Sequence, residues 1–214
     1  MAKIRVLLVE DHTVVRQGLR RVLEIDPDIE IVGEVGDGRA AVDAAHRLDP
    51  TVAVVDISLP HLNGIEVTRQ LAKAAPDTKV LILSMHADGG YVRQSLKAGA
   101  KGYLLKDADD HDLIKAVTAL SNGGSYFSPA VSRFLLDGYL QEGRDPTDEL
   151  SVLSDREREV LQLIAEGKSN KEVAQTLDVA VSTVESHRKH VMEKLDLHNT
   201  AAMVRFAVRK GLIQ

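Results

Sequence analysis

The texture of the first 125 residues constrains this chain more than any other feature. Short runs rich in β-branched and apolar residues fall at Ile4–Val9, Glu30–Val35, Val52–Asp56, Lys79–Ser84 and Gly102–Leu105. Between them lie segments with helical spacing at Val14–Glu24, Arg39–Leu48, Ile65–Ala75, Tyr91–Ala98 and His111–Leu120. Strands that are apolar at successive positions bury both faces, as parallel strands do when helices cover the sheet on each side. Five such units predict a doubly wound α/β domain with a five-stranded parallel sheet. In folds of this kind ligands sit beyond the carboxyl ends of the strands. Glu10, Asp11, Asp56, Ser84 and Lys106 all fall at such ends.

The alternation stops at "SNGGS", Ser121–Ser125, and a further helix is predicted over Pro129–Tyr139. "LQEGRDPTDELS", Leu140–Ser151, is polar, holds Gly143 and Pro146, and reads as a linker. Beyond it the pattern is purely helical. Ser154 followed by Glu157, and Ser169 followed by Glu172, match the capping box, in which a hydroxyl and a carboxylate satisfy free N–H groups reciprocally. The first helix runs to about Glu166 before Gly167. The second ends at the turn Leu177-Asp178-Val179, a third spans about Val181–Leu195, and a fourth about Thr200–Lys210 before Gly211. The expected division is 1–125, a helix and linker over 126–152, and an all-α four-helix domain over 153–214.

The chain has no cysteine, so disulfides and thiolate metal sites are excluded. No stretch approaches the roughly 18 apolar residues of a membrane span. A cytoplasmic protein is expected. The net charge of −5 is uneven. Residues 150–214 hold 10 Lys and Arg against 9 Asp and Glu, and residues 1–149 hold 17 against 23. Neither half announces nucleic acid by charge alone.

The strand ends carry the chemistry. Glu10, Asp11 and Asp56 would place three carboxylates in one pocket. Two unit charges at 4 Å repel by about 4 kcal/mol at an effective dielectric near 20. Three carboxylates therefore need a divalent cation or shifted pKa values. Oxygen ligands without His or Cys favour Mg²⁺, which often works on phosphates. Lys106 adds a positive charge and Ser84 a hydroxyl. Together they suit phosphoryl transfer, with metal and ammonium neutralising phosphoryl oxygens while a carboxylate attacks.

Residues 3–122 resemble a response-regulator receiver domain, of flavodoxin-like fold. The motifs are "VED" at Val9–Asp11, "VVDISLPHLNG" at Val54–Gly64, "LILSMH" at Leu81–His86 and "AGAKGYLLKD" at Ala98–Asp107. The resemblance implies that Asp56 accepts phosphate from a histidine kinase. It implies Mg²⁺ bound directly by Asp11 and Asp56, through water by Glu10, and by the Ser58 backbone carbonyl. It assigns Ser84 to hydrogen-bond the phosphoryl oxygen, Lys106 to pair with it, and Tyr103 to change rotamer with the switch. Ser58 and His86, beside the site, are candidate tuners of phosphate lifetime. Many receivers have a cis proline after the lysine, but here Asp107 follows. A cis bond without proline costs about 2.5–4 kcal/mol, so a trans bond is expected. Gly89 and Gly90 stand where the switch loop should lie and read as a mobile loop or as turn residues.

In the helical part, Lys171–Leu177, a turn and the helix from Val181 fit a helix-turn-helix. Ser182, Glu185, Ser186 and Lys189 share one face at spacings of three and four, while Val184, Val191 and Leu195 point inward. Residues 153–213 resemble the LuxR-type DNA-binding domain through "EREVL", "GKSNKEVA" and "TVESH". A receiver followed by this domain is similar to the NarL/FixJ class of response regulators. That resemblance makes Val181–Leu195 the recognition helix. Glu185, Ser186 and Lys189 then meet base edges, and Lys171, Thr183, His187 and Arg188 contact phosphates. Ala180 stands where the family often has a capping Ser, and Ser182 is the nearest substitute. With a charge of only +1, a monomer should bind double-stranded DNA weakly, and a homodimer would read two half-sites.

These features imply a regulator with no turnover on an external substrate, working with its kinase, with DNA, with itself as a phosphorylated dimer and with RNA polymerase. Two rivals stay open. A Mg²⁺-dependent phosphohydrolase would use Asp56 as nucleophile, but Ser58, not a carboxylate, stands two residues beyond it. A DNA-binding protein could keep a receiver that works without phosphate, against which the intact acidic set argues.

Overall fold

A computed structural model describes residues 3–85, 89–140 and 149–213. The chain divides into two compact units, 1–141 and 142–214. The first runs β1 (Ile4–Val9), α1 (Thr13–Leu23), β2 (Ile29–Val35), α2 (Gly38–Leu48), β3 (Val52–Asp56), α3 (Gly64–Ala74), β4 (Lys79–Ser84), α4 (Gly89–Ala98), β5 (Gly102–Leu105), α5 (Asp110–Ser121), β6 (Tyr126–Phe127) and α6 (Pro129–Leu140). All strand pairings are parallel, in the order β2-β1-β3-β4-β5-β6.

Successive strand residues point to opposite faces, and two apolar layers follow from this. Leu7, Val9, Ala53, Val55, Val80, Ile82 and Tyr103 share a core with residues of α2 and α3. Val6, Leu8, Val52, Val54, Leu81, Leu83 and Leu104 share the opposite one with Leu23 of α1 and with Leu113, Val117 and Leu120 of α5. Helices on both faces explain why these strands are apolar throughout.

The sheet has six strands, not the five expected. Tyr126 and Phe127 pair with Gly102 and Tyr103. Two residues are too few to show a period. Gly102 lets the strand approach, because a Cβ there would lie 2.9 Å from the Tyr126 carbonyl oxygen. Gly89 and Gly90 also depart from expectation: both lie in the first turn of α4. No peptide bond is cis among the described residues. His86 and residues 141–148 of the expected linker lie outside them.

The second unit begins with a 3-10 turn, Glu149–Val152, inside the stretch read as linker. Leu150 is buried in its core. Polar neighbours hid that one anchoring side chain. There follow α7 (Asp155–Ala165), α8 (Asn170–Leu177), α9 (Val181–Lys194) and α10 (Thr200–Arg209). Both capping boxes form, at Ser154 with Glu157 and at Ser169 with Glu172. Glu157 works twice, accepting from the Ser154 amide and pairing with Lys194 Nζ at 2.7 Å. Gly167 ends α7 at φ +89°, a backbone conformation natural only to glycine. Helix α9 starts at Val181 from an uncapped Ala180, so Ser182 lies inside the helix and is not its cap. No described helix is long and apolar enough to cross a membrane.

Candidate functional site: the acidic pocket and the reading helix

The strand order reverses direction of travel between β1 and β3, and in open α/β sheets ligands bind beyond the carboxyl ends of the strands at such a switch point. Glu10 follows β1 directly and Asp56 closes β3, and both are almost fully buried. Lys106 follows β5, fixed by its amide to the Ser84 carbonyl at 2.9 Å. Its ammonium bridges the two carboxylates, 2.8 Å from Glu10 Oε2 and 2.9 Å from Asp56 Oδ2. Burial opposes the charge on Lys106, but Glu10 and Asp56 more than offset this and hold its pKa above the ordinary value. A buried ion pair is secure only while both signs are present.

Asp11 adds a third carboxylate, leaving three negative groups against one ammonium. Its Oδ1 is buried with no hydrogen bond. His12 Nδ1 lies 2.8 Å away but without hydrogen-bond geometry, and it sits 3.3 Å from Glu10 Oε1. Buried polar atoms are rarely left unpaired, so this carboxylate oxygen is open to a cation or a water. Ligand atoms of Glu10, Asp11 and His12 all lie within 4.8 Å of one another. The donor set is mainly carboxylate oxygen, which suits a hard divalent ion such as Mg²⁺. The structure thus brings Glu10 and Asp11 together and ties Asp56 to them through Lys106. His12 was missed by the sequence reading, although it follows the acidic pair directly.

The loop after Asp56 is tightly held. Gly64 N donates to the Ile57 carbonyl at 2.9 Å, and Asn63 caps α3 through the Glu66 amide. A Cβ on Gly64 would lie 2.0 Å from the Asp56 carbonyl oxygen, so only glycine fits there. Ser58 lies within this loop. Ser84 is buried at the end of β4, and the Tyr103 side chain is fully buried.

In the helical unit, Val184 and Val191 are fully buried and Leu195 packs against the same core. Ser182, Glu185, Ser186 and Lys189 are exposed together on the other side of α9, as is Lys171 on α8. Thr183 and His187 are half-buried. Lys189 lies 3.6 Å from Glu193, one turn on. Arg188 is not a free cation. Its guanidinium donates to Asn170 Oδ1 at 3.2 Å and Thr200 Oγ1 at 2.5 Å, linking the starts of α8 and α10 to α9.

Comparison with known proteins gives both halves a family. Residues 6–118 match the response regulator receiver domain, and residues 151–207 match the bacterial regulatory proteins of the luxR family. The chain is a two-component response regulator of the NarL/FixJ class. This response regulator is 37% identical over 211 residues to the transcriptional regulatory protein MctR of Rhizobium johnstonii, covering 99% of this chain and 96% of MctR. It is 37% identical over 215 residues to the oxygen regulatory protein NreC of Staphylococcus carnosus, covering 98% and 99%. Among solved structures it resembles RcsB of Salmonella typhimurium, with 29% identity, a TM-score of 0.60 and 98% and 100% of the chains covered. A structure of two RcsB dimers bound to two parallel DNAs matches with 29% identity and a TM-score of 0.60, over 96% and 98% of the chains. This response regulator therefore joins a receiver to a LuxR-type DNA-binding domain and regulates transcription.

Proposed function

We propose that Asp56 is the phosphoacceptor of this regulator and that its phosphorylation switches DNA binding. One Asp56 oxygen forms a bond to phosphorus as the P–N bond of the kinase phosphohistidine breaks. Asp11, Asp56 and the Ser58 backbone carbonyl would hold Mg²⁺ directly and Glu10 through water, and the ion would supply charge to neutralise phosphoryl oxygens. Lys106 turns to the phosphoryl group, and Ser84 donates its hydroxyl. Tyr103 follows by a change of rotamer, as phosphate adds charge and acceptor oxygens to a site that responds. The observation that carries this reading is the buried Glu10–Lys106–Asp56 bridge beside the orphan Asp11 oxygen.

The receiver core spans 1–125, with β6 and α6 continuing its unit, and the four-helix DNA-binding domain spans 153–214, entered through the turn at Glu149–Val152. In that domain, Ser182, Glu185, Ser186 and Lys189 face the groove, where Glu185, Ser186 and Lys189 meet base edges, while Lys171, Thr183, His187 and Arg188 contact phosphates. Phosphorylation favours a homodimer that reads two half-sites on double-stranded DNA, in keeping with the RcsB dimers seen on DNA. The protein acts in the cytoplasm on RNA polymerase at its target promoters and turns over no external substrate.

The test is solution mass by light scattering, with and without Mg²⁺ and beryllofluoride, on wild type and Asp56→Ala. A monomer-to-dimer shift confined to wild type is expected. A dimer under every condition, the variant included, would sink the phosphate-dependent switch.

A further inference from the structure

A histidine and an aspartate outside the acidic pocket share one short contact. His61 Nδ1 meets Asp37 Oδ2, joining the β3–α3 loop to the start of α2. His61 has φ +66°, which is strained for a residue with a Cβ. Something must hold it there, and such strain gathers where geometry matters to function. Asp37 is itself fixed, because its other oxygen caps α2 through the amides of Arg39 and Ala40 at 2.7 and 3.2 Å. The loop is pinned nearby as well. The Gly38 amide donates to the Pro60 carbonyl at 3.4 Å, and a Cβ on Gly38 would lie 1.8 Å from the Leu62 carbonyl oxygen. At its other side the loop is closed by the Gly64 amide on the Ile57 carbonyl. Ser58 lies between these two anchorages.

We propose that Asp37 and His61 are a positioning pair that holds the β3–α3 loop in its metal-ligating shape before the ion arrives. The pair touches neither metal nor phosphate. It acts by sparing Mg²⁺ the ordering of the loop that presents the Ser58 carbonyl. The inference rests on the Mg²⁺ site proposed above.

The experiment is Mg²⁺ titration by calorimetry on the full chain, with melting temperature measured without Mg²⁺. The variants are His61→Gly, Asp37→Asn, the double variant and Asp11→Asn. Glycine accepts the left-handed backbone and asparagine keeps the cap, so both single variants should fold. Each should weaken Mg²⁺ about tenfold, the lower end of what outer partners of a metal ligand contribute. The melting temperature should change little, and the double variant should be no weaker than the singles. Wild-type affinity in the single variants, or losses that simply add in the double, would overturn the pairing. A large fall in melting temperature with affinity unchanged would mark a structural brace and overturn it too. Asp11→Asn separates the two readings. If it binds Mg²⁺ as wild type does, the metal site itself fails and the pair with it. If it loses binding while the pair variants keep theirs, only the positioning role fails.

Discussion

The acidic pocket and the reading face of α9 handle charge in opposite ways. In the pocket, Glu10 and Asp56 are buried and share one ammonium, Lys106. On α9, Ser182, Glu185, Ser186 and Lys189 stand in solvent, and Lys189 makes only a loose contact with Glu193 among the described residues. Low dielectric makes each charge in the pocket matter to folding and to ligand binding alike. On the helix a charge matters only once DNA arrives. Substitutions in the pocket should therefore register in stability, and those on the reading face should register in binding alone.

The hardest test of that contrast is Lys106→Ala. It leaves two buried carboxylates facing each other without a cation. Breaking a buried pair by removing one partner costs about 3–5 kcal/mol. Denaturant melts without Mg²⁺ should show this loss, and millimolar Mg²⁺ should restore part of it. A loss under about 1 kcal/mol would show that water screens the pocket far better than its burial implies. Gly64→Ala comes next. The added methyl meets the Asp56 carbonyl oxygen, and overpacking of this kind costs about 1–3 kcal/mol. Beryllofluoride binding should fall with it, because the displaced backbone is that of Asp56, the proposed acceptor. A variant that keeps both would show that the loop yields.

The reading face should behave otherwise, with one exception. Lys171→Ala should leave the melt unchanged and lower the salt slope of DNA binding by about one. Lys189→Ala should leave the melt unchanged and relax sequence preference. Arg188→Ala should combine both effects, with a stability loss of about 1–2 kcal/mol from two interhelical hydrogen bonds and a lower salt slope of DNA binding. If Arg188→Ala changes only the salt slope, its structural role is wrong.

Glu157 carries the contrast into the helical unit. Burial pushes its pKa up, but Lys194 and the Ser154 hydrogen bonds more than reverse this, and the net shift is downward. A lowered carboxylate pKa stabilises the fold above the unfolded value. That contribution is lost as pH falls through the folded value. Denaturant melts between about pH 5 and 3 should show the loss in wild type and a smaller one in Glu157→Gln. Equal slopes would remove Glu157 from the acid response.

The two regions also differed in how far the sequence exposed them. Strand ends converge by topology, so Glu10, Asp56 and Lys106 could be grouped from their position alone. The capping boxes at Ser154 and Ser169 were legible because both partners lie within four residues. What escaped depends on contacts distant in sequence. The Asp37–His61 link has no period or spacing to betray it. Strand β6 is two residues long and is defined by its neighbour Gly102, not by its own pattern. Leu150 is one apolar side chain in a polar stretch, and only the core it enters gives it meaning. Arg188 reads as a phosphate contact by family resemblance, and its hydrogen bonds to Asn170 and Thr200 lay outside that reading.

The smallest effect tests the start of α9 itself. Ala180 has the extended backbone of an N-cap, φ −69° and ψ 148°, but offers no side-chain oxygen. The first amides of α9 therefore lack the partner that Ser169 gives α8 and Asn199 gives α10. Ala180→Ser supplies a hydroxyl in a conformation already suited to it, worth about 0.5–1 kcal/mol. The melt of the full chain, or of the second unit where it melts separately, should move up accordingly. Because Ala180 is exposed at the entry to the reading helix, the same variant asks a second question. If DNA affinity is unchanged, the first turn of α9 is already ordered before binding. If affinity falls while stability rises, the uncapped amides are themselves phosphate ligands, since a helix N-terminus with free N–H groups attracts anions.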